Sequence, residues 1–110
     1  MSVRIELDEA SIIEKVTNDK FGLFVSNEWK RLINPYTPRD TGILENTAKI
    51  MPFKIHYIQP YATKVYYGKD FNFQKKNPYS TYEWDVKAAQ AGQLEKLYRI
   101  INNGLKSGRI

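Results

Sequence analysis

Apolar residues recur every three or four positions over two stretches of the chain. In residues 18–33 the recurring residues are Phe21, Phe24, Val25, Trp29, Leu32 and Ile33. This spacing is that of one face of an α-helix. The helix is predicted to end before Pro35, because the residue preceding a proline avoids the α region. A helix is predicted to begin near Glu9, with Asp8 as its N-cap. The polar residues 17–19 either cap a new helix or interrupt a single long one.

The second stretch predicts the longest helix of the chain. Ser80 and Glu83 have the spacing of a capping box. The apolar residues that follow at helical steps are Trp84, Ala88, Ala91, Leu94, Tyr98, Ile101 and Leu105. Gly104 offers a C-terminal stop. The pattern therefore predicts a single amphipathic helix that ends near Gly104, followed by a short tail at residues 105–110.

Period-two alternation replaces the helical period elsewhere. Residues 3–7 alternate apolar and charged side chains, which indicates a short strand or an extended arm. Residues 47–51 and 53–58 read as two half-buried strands on either side of Pro52. Residues 61–67 are predicted to form a short helix that Gly68 stops.

These elements predict an α+β fold, in which a small antiparallel β-sheet packs against an N-terminal and a long C-terminal α-helix. The chain has 110 residues and no internal repeat or linker. We therefore expect a single domain over residues 1–110, with residues 1–8 as a candidate extended arm.

The net charge of +5 is concentrated in one segment. Residues 49–76 hold six lysines and one aspartate, whereas the remaining residues carry equal numbers of basic and acidic side chains. Such a segment is either a solvated lysine face or a surface that meets nucleic acid or an acidic partner. The candidate DNA-facing residues are Lys49, Lys54, Lys64, Lys69, Lys75 and Lys76.

Two residue types that are common in catalytic and metal sites, Cys and His, are missing or isolated. The chain has no Cys, and its single His, His56, lies in a predicted strand. A thiol nucleophile, a Ser-His-Asp triad and a Cys or paired-His metal site are therefore not expected. The six glycines are scattered, so no glycine-rich phosphate loop is predicted. We predict no enzymatic activity, catalytic residue, cofactor or metal, and no apolar run is long enough to span a membrane.

Asp40, Thr41 and Gly42 spell the triplet of aspartic proteases, in which two such aspartates share a proton. Here the triplet follows a proline-rich stretch instead of an apolar strand, and a Gly-rich flap is missing. We interpret it as a structural turn in which Gly42 permits a positive φ. The residues of this turn motif are Pro38, Asp40, Thr41, Gly42 and Leu44. A dimeric aspartic protease is the remote alternative.

Aromatic residues share the lysine-rich segment, and the combination has two interpretations. Basic and aromatic side chains together can stack on single-stranded nucleic acid, or they can form a protein interface. We favour the interface, because no nucleic-acid-binding signature accompanies them. The candidate subunit-interface residues are Tyr66, Tyr67, Phe71, Phe73, Tyr79 and Tyr82.

Several motifs follow one another in an order that resembles a known family. They are Lys20-Phe-Gly-Leu23 with Trp29, Asn34-Pro-Tyr-Thr-Pro-Arg-Asp-Thr-Gly-Ile-Leu44, Ile55-His-Tyr57, Gln59-Pro-Tyr-Ala62, Val65-Tyr-Tyr-Gly68, Asn77-Pro-Tyr79 and the helix bearing Trp84. The ordered set, over residues 10–100, resembles the small minor capsid proteins of tailed bacteriophages, which include head–tail connector, neck and tail-completion proteins. The chain departs from the pattern just after Asn77-Pro-Tyr79, where a small apolar residue is expected, and over residues 71–76.

The resemblance implies a structural virion protein without enzymatic activity. It implies a homo-oligomeric ring around the DNA channel that joins the portal vertex of the capsid to the tail. A hexamer is favoured over a dodecamer, because phage tails are six-fold. The implied partners are other neck proteins, such as a portal-side connector, a tail terminator or the tail tube, with non-specific contact to packaged double-stranded DNA. The implied location is the head–tail junction of the virion, after assembly in the host cytoplasm. A small basic nucleic-acid-binding protein is the alternative.

Overall fold

The computed structural model describes residues 1–16, 18–37, 46–68, 83–108 and 110. It contains three strands, β1 (Ser2–Arg4), β2 (Lys49–Met51) and β3 (Lys54–His56). The helices are α1 (Asp19–Ile33), α2 (Ala62–Tyr66), α3 (Trp84–Gln90) and α4 (Gln93–Lys106), with 3-10 turns at Glu9–Ser11 and Asn34–Tyr36. The predicted α+β class is confirmed. The turn motif, namely Pro38, Asp40, Thr41, Gly42 and Leu44, lies outside the described residues.

The three strands form one antiparallel sheet in the order β1-β3-β2. For residues 3–7 the strand interpretation holds only at the start of the segment, because β1 covers Ser2–Arg4 and pairs there with β3. Val3, Ile55 and Ile50 stand side by side across the sheet, and Val3 and Ile55 are buried. Residues directly opposite one another point to the same face, so this row forms the inner face of the sheet.

Helix α1 has the predicted start and length. The Asn18 side chain accepts a hydrogen bond from the backbone N–H of Phe21 at 2.8 Å, which caps the helix. The apolar side chains at helical spacing are buried, namely Phe21, Val25, Trp29 and Ile33. α1 packs against α4 and also against the β2–β3 hairpin. It is therefore the central element to which the sheet is attached.

One buried serine fixes the hairpin to α1. The Ser26 hydroxyl donates to the Met51 carbonyl at 2.5 Å and accepts from the Lys54 backbone N–H at 2.8 Å. These two backbone groups flank the Pro52–Phe53 turn, so a side chain from another element satisfies both. Phe53 has a φ of 54°, which is unusual for a bulky residue. Its N–H donates to the carbonyl of Gly22 at 3.1 Å.

The helix predicted to begin near Glu9 is wrong: the structure has only the 3-10 turn Glu9–Ser11. The reason is a competing set of long-range hydrogen bonds. The Asn102 side chain accepts from the N–H of Ile13 at 2.9 Å and donates to the carbonyl of Ser11 at 2.9 Å. The N–H of Asp8 donates to the hydroxyl of Tyr98 at 2.8 Å. Two backbone groups that a helix would use, the Ile13 N–H and the Ser11 carbonyl, are thus bound to α4.

The predicted single C-terminal helix is also wrong, because Gly92 divides it into α3 and α4. Gly92 has a φ of 91°, a left-handed conformation that interrupts a right-handed helix. Ala91 is consequently exposed, whereas Ala88 and Leu97 on either side of the break are buried. The capping box is wrong in its position, since Glu83 is itself the N-cap of α3 and its side chain makes no capping hydrogen bond.

The predicted stop at Gly104 is wrong as well. Gly104 lies inside α4 and is buried, with the side chain of Ile110 packed where a Cβ would stand. The helix ends two residues later, at Lys106, and Gly108 with a φ of 72° follows it. Gly108 therefore has the left-handed conformation that commonly ends a helix. Within the described residues, no helix is long and apolar enough to cross a membrane.

Candidate functional site

The outer face of the sheet gathers basic side chains from all three strands. Because Val3 and its partners point inward, the alternate residues point outward. One outward row is Ser2, His56 and Lys49, and the next is Arg4, Lys54 and Met51. Arg4 and Lys49 are exposed and Lys54 is half-buried. We call Arg4, Lys49 and Lys54 the cationic face.

The cationic face is not neutralised by neighbouring carboxylates in the part of the chain that the structure describes. The ion pairs found there join Lys15 to Glu9 at 3.4 Å and Arg31 to Glu28 at 2.6 Å, and neither involves the sheet. Arg4 stands directly opposite Lys54, and like charges in that position are destabilising. The fold therefore carries an electrostatic cost on this face.

A hollow of about 270 Å³ lies at the edge of this face. Its lining includes Arg4, Lys54 and the turn residues Pro52 and Phe53. Glu6 also lines the hollow, and it is an exposed side chain two positions beyond Arg4 on the chain. Two positive charges and one negative charge therefore line the hollow, so its net charge is positive. Mutation of Glu6 would remove the negative charge.

The electrostatic cost can be measured directly. We expect Arg4→Gln to raise the free energy of unfolding by about 0.2–1 kcal/mol at low ionic strength, because it removes one of two like charges placed opposite each other. The gain should shrink as salt is added, since exposed charges are screened. Urea denaturation at two salt concentrations measures it. The matched control Arg99→Gln removes an exposed arginine from α4 and should show no comparable gain; an equal gain in both variants would contradict the pairing.

His56 has a structural contact on the same face. Its Nδ1 lies 2.9 Å from the Oγ of Ser2, which ties β1 to β3 beside the cationic face. Within the described ranges, no group of three or more His, Cys, Asp or Glu side chains is placed to hold a metal ion. His56 is thus a cross-strand partner of Ser2.

A second cluster consists of Trp84 and three tyrosines. The indole ring of Trp84 is fully buried and lies edge-on to Tyr57 and Tyr66, with centroids 5.2 and 4.9 Å away. Its Nε1 donates to the Tyr57 hydroxyl at 3.1 Å, so the buried N–H is satisfied. Tyr67 packs edge-on against Tyr66 at 5.0 Å, but 66% of Tyr67 is exposed.

Tyr66 connects the two sides of this cluster. Its hydroxyl donates to the carboxylate of Asp85, and its carbonyl accepts from the N–H of Glu83 at 2.8 Å. Burial, followed by the hydrogen bond to Asp85, raises the pKa of Tyr66 well above its usual range. The phenol is therefore a neutral donor. These bonds hold the start of α3 against the end of α2. The residues just before 69 and just after 82 therefore lie close together.

The structure thus assigns different positions to the predicted site residues. Lys49 and Lys54 come together on the cationic face, whereas Lys64 lies on α2 and is exposed. Tyr66 is half-buried and packs against Trp84, whereas Tyr67 is exposed. The remaining candidates, Lys69, Lys75, Lys76, Phe71, Phe73, Tyr79 and Tyr82, lie outside the described residues. Arg4 was not predicted: its alternation with Val3 and Ile5 indicated exposure, but not its partner strand.

Comparison with known proteins agrees with the resemblance seen in the sequence motifs. The family model described as minor capsid protein matches residues 1–105. The chain belongs to this family of phage minor capsid proteins. Its role is therefore structural, as a component of the virion. Neither the curated proteins nor the solved structures include a match to the chain.

Proposed function

We propose that this minor capsid protein forms a homo-oligomeric ring at the head–tail junction and joins the portal vertex to the tail around the DNA channel. The observation that carries the proposal is the family match over residues 1–105, together with the ordered motifs that resemble neck proteins. Non-specific contact with the packaged DNA and binding to other neck proteins belong to the same proposal.

The described surface fits the requirement of a closed ring. A ring of identical subunits needs two different surface patches on each copy, which bind each other head to tail. Two regions are candidates for these patches: the outer side of α1, where Leu23 is exposed, and the end of α2, where Tyr67 is exposed. Tyrosine offers rigid apolar area with a polar tip, which suits a subunit interface.

The test is assembly of the purified protein, alone and with the portal-side and tail-side proteins encoded beside it. We expect native mass spectrometry to show a closed multiple of the 12.9 kDa subunit, with the hexamer favoured over the dodecamer. Cryo-electron microscopy should show an annular particle that binds a portal assembly at one end. Tyr67→Glu should prevent ring closure while leaving the monomer folded. Val86→Glu, which places the same charge at an exposed position of α3, should leave ring closure intact. A protein that stays monomeric at high concentration and with all its neck partners would contradict the proposal.

A further inference from the structure

We propose that the outer face of the β-sheet contacts the phosphate backbone of double-stranded DNA through Arg4, Lys49 and Lys54. This inference deepens the proposed function, because it names the face of the subunit that would look towards the channel. It concerns the surface of the folded subunit and can be tested whether or not a ring forms.

The first argument is the uncompensated charge. The three side chains come from three different strands, yet the antiparallel register brings them to one face. In the described part of the chain none of them has an ion pair, and Arg4 and Lys54 stand opposite each other in spite of their repulsion. An anion bound at this face would attract both side chains and so offset their repulsion.

The second argument is the spacing of the charges. Neighbouring strands lie about 4.8 Å apart, so the three cations, which come from both outward rows, extend over about 10 Å across the sheet. Each strand of duplex DNA presents a phosphate for every ~3.4 Å of helix axis. Charges from β1, β3 and β2 can thus meet several phosphates at once. Lysine and arginine can bind phosphate as extended donors while their aliphatic stems lie on the sheet.

The third argument concerns the kind of contact. The outward rows hold the cations beside Ser2, His56 and Met51. A duplex presents phosphates on its outer surface whatever its sequence, whereas the base edges lie inside the grooves. We therefore expect this face to contact the backbone, with binding that does not depend on base sequence.

The charge of the face argues for DNA as its occupant. The cationic face cannot pair with the same face of a second copy, because like charges would meet. Duplex DNA carries the opposite charge along its whole length. The cationic face therefore suits DNA.

The experiment measures binding of the folded protein to a short mixed-sequence duplex by fluorescence anisotropy over a range of salt concentrations. The test variant is Arg4→Gln/Lys49→Gln/Lys54→Gln. Its matched control is Arg99→Gln/Lys96→Gln/Lys106→Gln, which removes three positive charges from exposed positions on α4. Circular dichroism confirms that all proteins are folded.

We expect the test variant to bind more weakly and its log–log salt slope to fall by about 2.7, which is about 0.9 for each phosphate that is no longer neutralised. The control should keep most of the wild-type slope. Glu6→Gln, which removes the acidic side chain beside the hollow, should strengthen binding. A second duplex of different sequence should bind equally well.

Three results would overturn the inference. Equal losses of affinity in the test variant and the control would show a general effect of net charge. Unchanged DNA binding in the test variant would remove the DNA contact from this face. Unchanged DNA binding combined with a loss of self-association, seen by analytical ultracentrifugation, would show that the face binds another subunit. Each of these outcomes leaves ring formation by the wild-type protein to be judged by its own experiment.

Discussion

Gly22→Ala is expected to lower the free energy of unfolding by about 1–3 kcal/mol, although alanine is the better helix former. A Cβ at residue 22 would stand 2.8 Å from the Phe53 ring and 2.9 Å from the Cβ of Pro52. Neither neighbour is free to retreat, because Phe53 donates its N–H to the Gly22 carbonyl and its ring packs on Phe21 with centroids 5.8 Å apart. The hairpin must therefore move away from α1.

Gly104→Ala is the matched control for this measurement. Gly104 is also a buried glycine inside a helix, and its Cβ would meet the Cδ1 of Ile110 at 2.7 Å. That atom is the end of a flexible side chain, so it can shift. We expect Gly104→Ala to be far better tolerated than Gly22→Ala when both are unfolded by urea and followed by circular dichroism. A Gly22→Ala protein as stable as the wild type would show that the hairpin does not lie against α1.

Trp84→Ala is expected to cost about 3–5 kcal/mol of stability, the range for removing a large buried aromatic side chain. The fully buried indole fills the space between Tyr57 and Tyr66, and its N–H is bound by the Tyr57 hydroxyl. Its removal would leave a cavity where α3 meets the sheet side of the core. Such a variant is expected to be unfolded or greatly destabilised, as judged by thermal and urea denaturation.

Two milder variants separate packing from hydrogen bonding at this site. Trp84→Phe keeps a ring but loses the N–H, and Tyr57→Phe removes the hydroxyl that binds it. A double-mutant cycle isolates the energy of that hydrogen bond. Val86→Ala, two residues further along α3 on an exposed position, should change the stability by no more than about 0.5 kcal/mol. Equal losses of unfolding free energy in the Trp84→Ala and Val86→Ala variants would contradict the burial of the indole in the core.

The elements that could be predicted from the sequence are those whose signals are local. α1 has a polar cap, a sustained helical period and a proline after its end, and all three indicate the same boundaries. The β3 strand likewise alternates in step with its burial, since Ile55 is buried between the half-buried Lys54 and His56. The α+β class follows from these elements, because amphipathic helices and half-buried strands have to cover one another.

The failures arise where a distant residue decides the local conformation. The segment after Asp8 has helical spacing, but the side chain of Asn102 binds the N–H of Ile13 and the carbonyl of Ser11. Gly92 breaks a helical pattern that continues on both sides of it. The sequence does not reveal this break, because a glycine within a helical period is compatible with a continuous helix and with an interrupted one. Arg4 joined Lys49 and Lys54 only through strand register, which its local sequence does not specify.

The bonds between Tyr66 and the start of α3 have a consequence for the order in which the core can come apart. The carbonyl of Tyr66 accepts from the N–H of Glu83, and its hydroxyl donates to Asp85. The ring of the same residue lies against the buried Trp84. One side chain and its own carbonyl thus join α2 to α3 by three contacts. Groups that share a network of contacts are lost together, so α2 and the first turn of α3 are expected to open as one unit in hydrogen exchange.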